Sequence, residues 1–91
     1  TEDNYTLVKE FPAHNFAIYS LCFSPDQKFI ATGSRDKTVK IWDAKTFEII
    51  ARLDKKNFDG HTHSVNRLLW IPYNNYLISA GDDRMVIVWS I

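Results

Sequence analysis

His61, Ser79 and Asp83 are the residue types that serine hydrolases use, in which the imidazole removes the serine proton and the carboxylate orients the imidazole. A nucleophilic serine must also be exposed and must face donors that stabilise an oxyanion. His61 and Asp83 have counterparts at His14 and Asp36, each 47 positions earlier in the chain. Because one active site does not need two copies of its residues, this repetition favours a structural role for both sets.

His61 and His63 also raise the alternative of a metal site, because imidazole nitrogen is a common zinc ligand. Zinc sites combine histidine with cysteine or carboxylate ligands, and none accompanies this pair at a ligand spacing. We therefore expect no metal, and no motif predicts a cofactor. The one cysteine, Cys22, lies in an apolar run, which excludes an intrachain disulfide and indicates a small core residue.

Residues 14–44 align without a gap on residues 61–91, so the chain contains a repeat. The matching positions include His14 with His61, Leu21 with Leu68, Pro25 with Pro72, Asp36 with Asp83, Val39 with Val86 and Trp42 with Trp89. The opening stretch 6–11 matches 48–53 at an offset of 42. The unit is therefore about 42 residues long, which is typical of a propeller blade.

Turn signals, such as the prolines at Pro25 and Pro72, divide the chain into short apolar stretches. Alternating or continuous apolar runs between these turns predict strands rather than helices. We predict no helix and eight strands, at residues 5–11, 17–23, 28–34, 38–42, 47–53, 64–70, 75–80 and 85–89. Residues 17–23 are apolar on both faces, which predicts a strand that is covered from two sides.

The composition indicates a folded chain with no strong overall charge. Apolar residues make up 45% and charged residues 24%, and 11 basic side chains balance 11 acidic ones. No net field therefore draws the molecule to nucleic acid or to an anionic membrane, and we expect neither as a partner. We find no apolar run long enough to span a membrane and no signal peptide. These features and the single cysteine predict a soluble protein in the cytoplasm or another intracellular compartment.

Four short motifs, each present twice, carry a resemblance to a known family. In the first repeat they are Ala13-His14, Ser24-Pro25-Asp26, Thr32-Gly33-Ser34-Arg35-Asp36 and Trp42-Asp43. In the second they are Gly60-His61, Ile71-Pro72-Tyr73, Ser79-Ala80-Gly81-Asp82-Asp83 and Trp89-Ser90. With these motifs the chain resembles the WD-repeat β-propeller family over nearly its whole length. The departures, at Ala13, Ile71, Tyr73 and Ser90, lie beside the key positions rather than on them.

The resemblance implies an all-β fold with two four-stranded antiparallel blades, eight strands in all, in a closed propeller ring. On this basis residues 1–91 form a single partial propeller. Residues 1–16 are an N-terminal outer strand and loop, 17–53 the first blade, 54–63 the inter-blade loop, and 64–91 a second blade without its own outer strand. The strand at 5–11 is then expected to latch the last blade by pairing with the edge strand 85–89.

The resemblance also implies one structural tetrad in each blade. The first consists of His14, Thr32, Asp36 and Trp42, and the second of His61, Ser79, Asp83 and Trp89. An indole N–H can donate to a hydroxyl, the hydroxyl to an imidazole nitrogen, and the imidazole N–H to a carboxylate. Four buried polar groups are satisfied in this way, so no catalytic role is assigned to them.

Two blades alone would leave apolar faces and strand edges bare, so further blades are expected. They could come from copies of the chain, three giving six blades or four giving eight, or from the remainder of a longer propeller chain.

The function expected from this fold is a non-catalytic scaffold for protein–protein interaction that presents its loops to peptide or protein partners. By family position the candidate partner contacts are Phe16, Tyr19 and Arg35 in the first blade and His63, Asn66 and Asp82 in the second. Two alternatives stay open: a purely structural, self-assembling propeller unit with no external ligand, and a segment of a propeller enzyme.

Overall fold

A computed structural model describes residues 4–91 and shows two antiparallel sheets. The first sheet contains β1 (Ile18–Phe23), β2 (Phe29–Ser34), β3 (Val39–Asp43) and β4 (Ile49–Leu53), paired in chain order. The second sheet contains β5 (Val65–Trp70), β6 (Tyr76–Gly81) and β7 (Val86–Ser90), also in chain order. Both sheets are meanders of neighbouring strands, so the repeat in the sequence is a repeat of one folding unit.

The segment 5–11 forms no strand, and the prediction of eight strands is wrong by this one element. Tyr5 and Val8 are 85% and 84% exposed, and no strand of residues 4–91 pairs with this segment. Alternation in the sequence favours an extended backbone, but a strand forms only where a second edge accepts its hydrogen bonds. The second blade consequently has three strands among the described residues.

The prediction of no helix is also wrong, because the loop after β4 contains the short helix α1 (Lys55–Phe58). Asp54 caps it by accepting a hydrogen bond of 2.8 Å from the backbone N–H of Asn57. A 3-10 turn at Tyr73–Asn75 precedes β6. Neither element is long enough to show a helical period in the sequence, and no helix among residues 4–91 could cross a membrane.

The core lies between the two sheets, where β5 packs against β1 and β2. Its buried residues are Ala31, Val39, Ile41, Leu53, Val65, Leu68, Trp70 and Leu77, with Cys22 packed at the margin. Burial raises the pKa of the Cys22 thiol. The backbone N–H of Leu68 donates to the Ser20 hydroxyl over 3.0 Å, and the Phe29 and Trp70 rings stack at 6.4 Å. The two blades therefore share one core.

The outer face of each sheet carries exposed apolar side chains, although Ala13, Ile30 and Trp42 form a small buried cluster on the first sheet, with Phe11 and Phe47 packed on it. Leu21 is 57% exposed on the first sheet, whereas its repeat equivalent Leu68 is 9% exposed between the sheets. Val88 is 55% exposed on the second sheet, whereas its equivalent Ile41 is 2% exposed. The strand β1 is thus covered on one face only, contrary to the expectation of two. Each free face has the residue types that the other sheet buries.

Candidate functional site

The first tetrad forms a continuous chain of hydrogen bonds across the first sheet. Trp42 on β3 donates its indole N–H to the Thr32 hydroxyl on β2 over 2.9 Å. That hydroxyl lies 2.8 Å from Nε2 of His14, which stands in the loop before β1. Nδ1 of His14 lies 2.7 Å from the carboxylate of Asp36 in the β2–β3 turn. Two strands, a loop and a turn are joined by this chain.

The second tetrad repeats the same connections. Trp89 on β7 donates to the Ser79 hydroxyl on β6 over 2.9 Å, and Ser79 lies 2.8 Å from Nε2 of His61. Nδ1 of His61 lies 3.0 Å from the nearer carboxylate oxygen of Asp83. Because indole can only donate, the hydroxyl accepts from it and donates to Nε2, which leaves Nδ1–H to donate to the carboxylate. One neutral imidazole tautomer satisfies every partner in each chain.

The two aspartates are held as carboxylates. Burial of Asp36 by itself raises its pKa, but hydrogen bonds from Thr38 and His14 outweigh burial and lower the pKa below its ordinary value. Burial likewise raises the pKa of Asp83, and donors from the backbone of Thr62 and Met85, together with His61, lower it. Ionised aspartate is the acceptor that the imidazole N–H needs, so the charge state and the geometry agree.

Thr38 and Ser34 support the first tetrad, a role that the sequence analysis did not predict for either residue. The Thr38 hydroxyl donates to Asp36 over 2.6 Å, and its backbone N–H donates to the same oxygen over 3.0 Å. Ser34 is fully buried and donates to the carbonyl of Ala17 over 2.8 Å. The sequence of the turn from Ser34 to Thr38 could have predicted these hydrogen bonds, because serine, threonine and aspartate side chains often bond to the backbone of their own turn.

The geometry removes the support for a hydrolase triad at Ser79. The distances between Ser79, His61 and Asp83 suit such a triad, but the Ser79 residue is 0% exposed and its oxygen already accepts from Trp89. A substrate carbonyl cannot reach this hydroxyl without unpacking the blade.

The two histidines considered as metal ligands, which we did not expect to bind a metal, are engaged with other groups. Both ring nitrogens of His61 are hydrogen bonded, and Nδ1 of His63 lies 3.0 Å from the Thr62 hydroxyl. Within residues 4–91 there is no group of three or more potential ligands that could hold a metal ion.

The candidate partner contacts lie near the end of the sheets that carries the β2–β3 turn and the β4–β5 loop. Arg35 stands 5.9 Å from the centre of the Phe16 ring, and Phe16 is 57% exposed. Asn66 donates to Asp82 over 2.5 Å. The structure therefore brings together Phe16 with Arg35 and Asn66 with Asp82.

Tyr19 and His63 stand apart from those two pairs. Tyr19 is 49% exposed, and across residues 4–91 neither a hydrogen bond nor a ring contact joins it to Arg35. His63 is exposed and contacts its neighbour Thr62. Four of the six candidates thus form two contacting pairs, and Ser64 joins the pairs by donating to the Arg35 carbonyl over 3.5 Å and accepting from the Asp82 N–H over 2.9 Å.

A groove of about 610 Å³ lies at the same end of the sheets, between the β2–β3 turn and the loop that carries α1. Its lining residues are Asp36, Lys37, Thr38, Arg52, Asp54, Lys55, Lys56, Asn57, His61 and Thr62. The sequence prediction missed the basic residues of this groove. The signal was present, because the loop after β4 is five residues longer than the repeat requires, the difference between the offsets of 47 and 42.

Comparison with known proteins assigns both repeats to one family. The family model described as "WD domain, G-beta repeat" matches residues 5–43 and residues 53–90. The cell division cycle protein cdt2 of Schizosaccharomyces pombe is 41% identical over 83 residues, which cover 87% of this chain and 16% of that protein. The WD repeat-containing protein 26 homolog of Drosophila melanogaster is 43% identical over 77 residues, which cover 84% of this chain and 11% of that protein.

A solved structure shares the fold. The crystal structure of the computationally designed Ika4 protein has a TM-score of 0.69 and 32% sequence identity, covering 86% of this chain and 43% of that one. The chain thus spans less than a fifth of the length of these two natural relatives and less than half of the designed chain.

Proposed function

The chain belongs to the WD-repeat family, and from that membership we propose that it is a non-catalytic scaffold whose loop end binds a protein or peptide partner. The observation that carries this proposal is the exposed Phe16 ring with the Arg35 guanidinium 5.9 Å from its centre. Aromatic and arginine side chains are over-represented where protein interfaces gain most of their affinity. Their position on a turn and a loop fixed by the tetrad provides the rigid support that such a contact needs.

The tetrads serve the proposed function as supports rather than as reactive groups. His14 and Asp36 tie the loop before β1 to the β2–β3 turn, and both segments carry partner candidates. Asp82 precedes tetrad residue Asp83, and Asn66 holds it from β5. We assign Tyr19 and His63 a secondary part in partner binding, because each is exposed near the same end.

The experiment compares the two ends of the sheets with a photo-reactive phenylalanine at position 16 or at position 73. Tyr73 is 72% exposed in the turn before β6, at the opposite end of the strands, so it is a matched control. We expect the probe at position 16 to form discrete crosslinks to a bound partner protein. The yield of these crosslinks should fall in an Arg35→Glu background, and the probe at position 73 should form none. Equal adducts from both positions would mean that the loop end is not the binding face.

A second candidate function is self-assembly into a ring. It is supported by positions that are exposed on one sheet while their equivalents in the other repeat are buried between the sheets. Leu21 and Val88 are exposed where their equivalents Leu68 and Ile41 are buried. We propose that WD blades from three or four copies of the chain, or from the rest of a longer chain, cover these faces in the way that the two sheets cover each other. Such a contact is heterologous, and heterologous contacts generate rings when the rotation closes.

We also propose that residues 5–11 act as the outer strand of a closing blade. The edge of β7 has no partner among residues 4–91, whereas the corresponding β3 pairs with β4. Phe11 packs on Trp42 with ring centres 5.0 Å apart, so the end of the segment contacts the outer face of the first sheet. In this assignment the blades are residues 17–53 and 64–91, joined by the loop 54–63. The free Cys22 thiol agrees with a reducing intracellular compartment, which we include in the proposal.

A further inference from the structure

The groove beside α1 is lined by four cationic side chains from three separate segments. Lys37 comes from the β2–β3 turn, Arg52 from β4, and Lys55 and Lys56 from the loop that follows β4. The two carboxylates of the lining, Asp36 and Asp54, leave a formal excess of two positive charges, four minus two. This excess is local, because the whole chain carries 11 basic and 11 acidic side chains.

The two carboxylates of the groove are engaged with the protein itself. Asp36 accepts from His14 and Thr38, and its side chain is 12% exposed. Asp54 accepts from the backbone N–H and the side-chain amide of Asn57, and its side chain is 17% exposed. Both carboxylates therefore already have hydrogen-bond donors within the protein.

Arg52 and Lys55 of this set are exposed, and each has one partner carboxylate. The side chains of Arg52 and Lys55 are each 59% exposed. Arg52 lies 3.5 Å from Asp54, and Lys55 pairs with Asp59, which is 85% exposed. Exposed pairs of this kind contribute little to stability, so an anionic ligand can replace them. Lys37 and Lys56 form no ion pair with any residue of the described part, 4–91.

The wall of the groove is a built feature of the loop after β4. The backbone N–H groups of Phe58 and Gly60 both donate to the Asp54 carbonyl over 3.0 Å, which closes the loop on itself. A Cβ at Gly60 would meet the backbone of Asp54 at 3.0 Å, so a larger residue there would push this close return apart. This loop is five residues longer than the corresponding loop of the first repeat, and it holds Lys55 and Lys56 beside the β2–β3 turn.

From the groove, its charge and its fixed wall, we propose that this junction between the blades binds an acidic peptide segment through carboxylate or phosphate side chains. The inference rests on the proposed function in that the partner is a protein. Ammonium and guanidinium groups form charge-assisted hydrogen bonds with both anions, and Arg52 can bind either one in a bidentate manner. The hydroxyls of Thr38 and Thr62 and the amide of Asn57 line the same groove and add neutral hydrogen-bonding groups.

The test is fluorescence anisotropy of the full chain with a labelled oligoglutamate peptide and with a serine peptide in phosphorylated and unphosphorylated forms. We expect saturable binding of the oligoglutamate and phosphorylated peptides. The double variant Lys37→Gln and Lys56→Gln should bind about tenfold more weakly, because each lost charged hydrogen bond removes affinity. The matched control is Lys28→Gln with Lys45→Gln, since these lysines lie together at the opposite end of the first sheet. It should stay within about twofold of the wild type, because it leaves the groove contacts intact.

The inference would be overturned by no saturable binding of either acidic peptide, by an equal loss in the control variant, or by a preference for duplex DNA that the groove variant abolishes. Inorganic phosphate competing as strongly as the phosphorylated peptide would also overturn it, because a simple anion site would then suffice. Adducts at position 16 that persist while acidic peptides fail to bind would leave the proposed function standing and remove this inference alone.

Discussion

At the scale of single residues, a buried hydroxyl links a donor and an acceptor in each blade. Thr32 is 4% exposed and Ser79 is 0% exposed, so neither hydroxyl can exchange its protein partners for water. Removing such a group leaves both an indole N–H and an imidazole nitrogen without a partner. The hydroxyl therefore matters more for stability than its size suggests.

We expect Thr32→Val, which keeps the shape of the side chain, to lower the free energy of unfolding by about 1 to 3 kcal/mol, because two buried polar groups lose their partner. Chemical denaturation measures the loss. Trp42→Phe removes the indole donor, so the double variant should lose less than the sum of the two single losses. The exposed Thr6→Val serves as the control and should leave stability unchanged. Additive losses in the double variant would mean that the indole and the hydroxyl do not interact.

Acid should destabilise the blades through their aspartates. The folded-state pKa of Asp36 is lowered, so its contribution to stability is complete above the ordinary aspartate pKa of about 3.9 and is lost as the pH falls toward the lower folded value. We expect the urea midpoint to fall between about pH 5 and pH 3, and to fall less steeply in Asp36→Asn. Glu48→Gln makes the same change of charge at an exposed side chain, and it should retain the wild-type slope. Equal slopes in all three proteins would contradict the tetrad geometry.

At the scale of elements, strand β2 approaches β5 so closely that one position has room only for glycine. A Cβ at Gly33 would lie 2.8 Å from a methyl carbon of Val65, a residue that is 0% exposed. The sequence motif around Gly33 resembled a family signature, but the signature does not show which neighbour requires the glycine. Glycine is required at position 33 because of a contact between the two sheets, and such a contact cannot be predicted from this sequence alone.

We expect Gly33→Ala to lower the free energy of unfolding by about 1 to 3 kcal/mol, because the added methyl forces β2 and β5 apart. Val65→Ala removes the methyl that clashes, so Gly33→Ala should cost less stability in the Val65→Ala background than in the wild type. Thermal and urea denaturation of the four proteins complete the cycle. If the two losses simply add, the close contact between Gly33 and Val65 does not control the packing of the sheets.

Seven of the eight predicted strands are confirmed, with ends that differ by no more than two residues, because prolines and polar turns mark those ends in the sequence. Residues 5–11 and α1 mark where local information fails. Residues 5–11 alternate like a strand but have no strand edge to pair with among residues 4–91. The helix α1 forms because Asp54 caps it, and no periodic pattern in the sequence predicts it. The residue types of the tetrads were evident in the sequence, whereas the groove depends on three segments that meet only in the fold.

At the scale of the whole molecule, the two free faces are related by the repeat to the buried interface between the sheets. Leu21 lies on the face that corresponds to the buried side of the second sheet, and Val88 on the face that corresponds to the buried side of the first. The free face of one chain is therefore complementary to the free face of another in residue type and in strand arrangement. We therefore expect blades to associate by stacking the Leu21 face of one on the Val88 face of the next, as the two sheets stack within the chain.

We expect the isolated chain to have the solution mass of three or four copies, and Leu21→Lys or Val88→Lys to reduce that mass, because each lysine places a charge where two sheets stack. Light scattering measures the mass, and circular dichroism verifies that the variants keep their strands. Thr46→Lys adds the same charge in an exposed turn and should leave the mass unchanged. A stable wild-type monomer would exclude self-assembly of the isolated chain. If the lysine variants instead lower the unfolding midpoint of a longer chain without altering its mass, the covering blades belong to the same polypeptide.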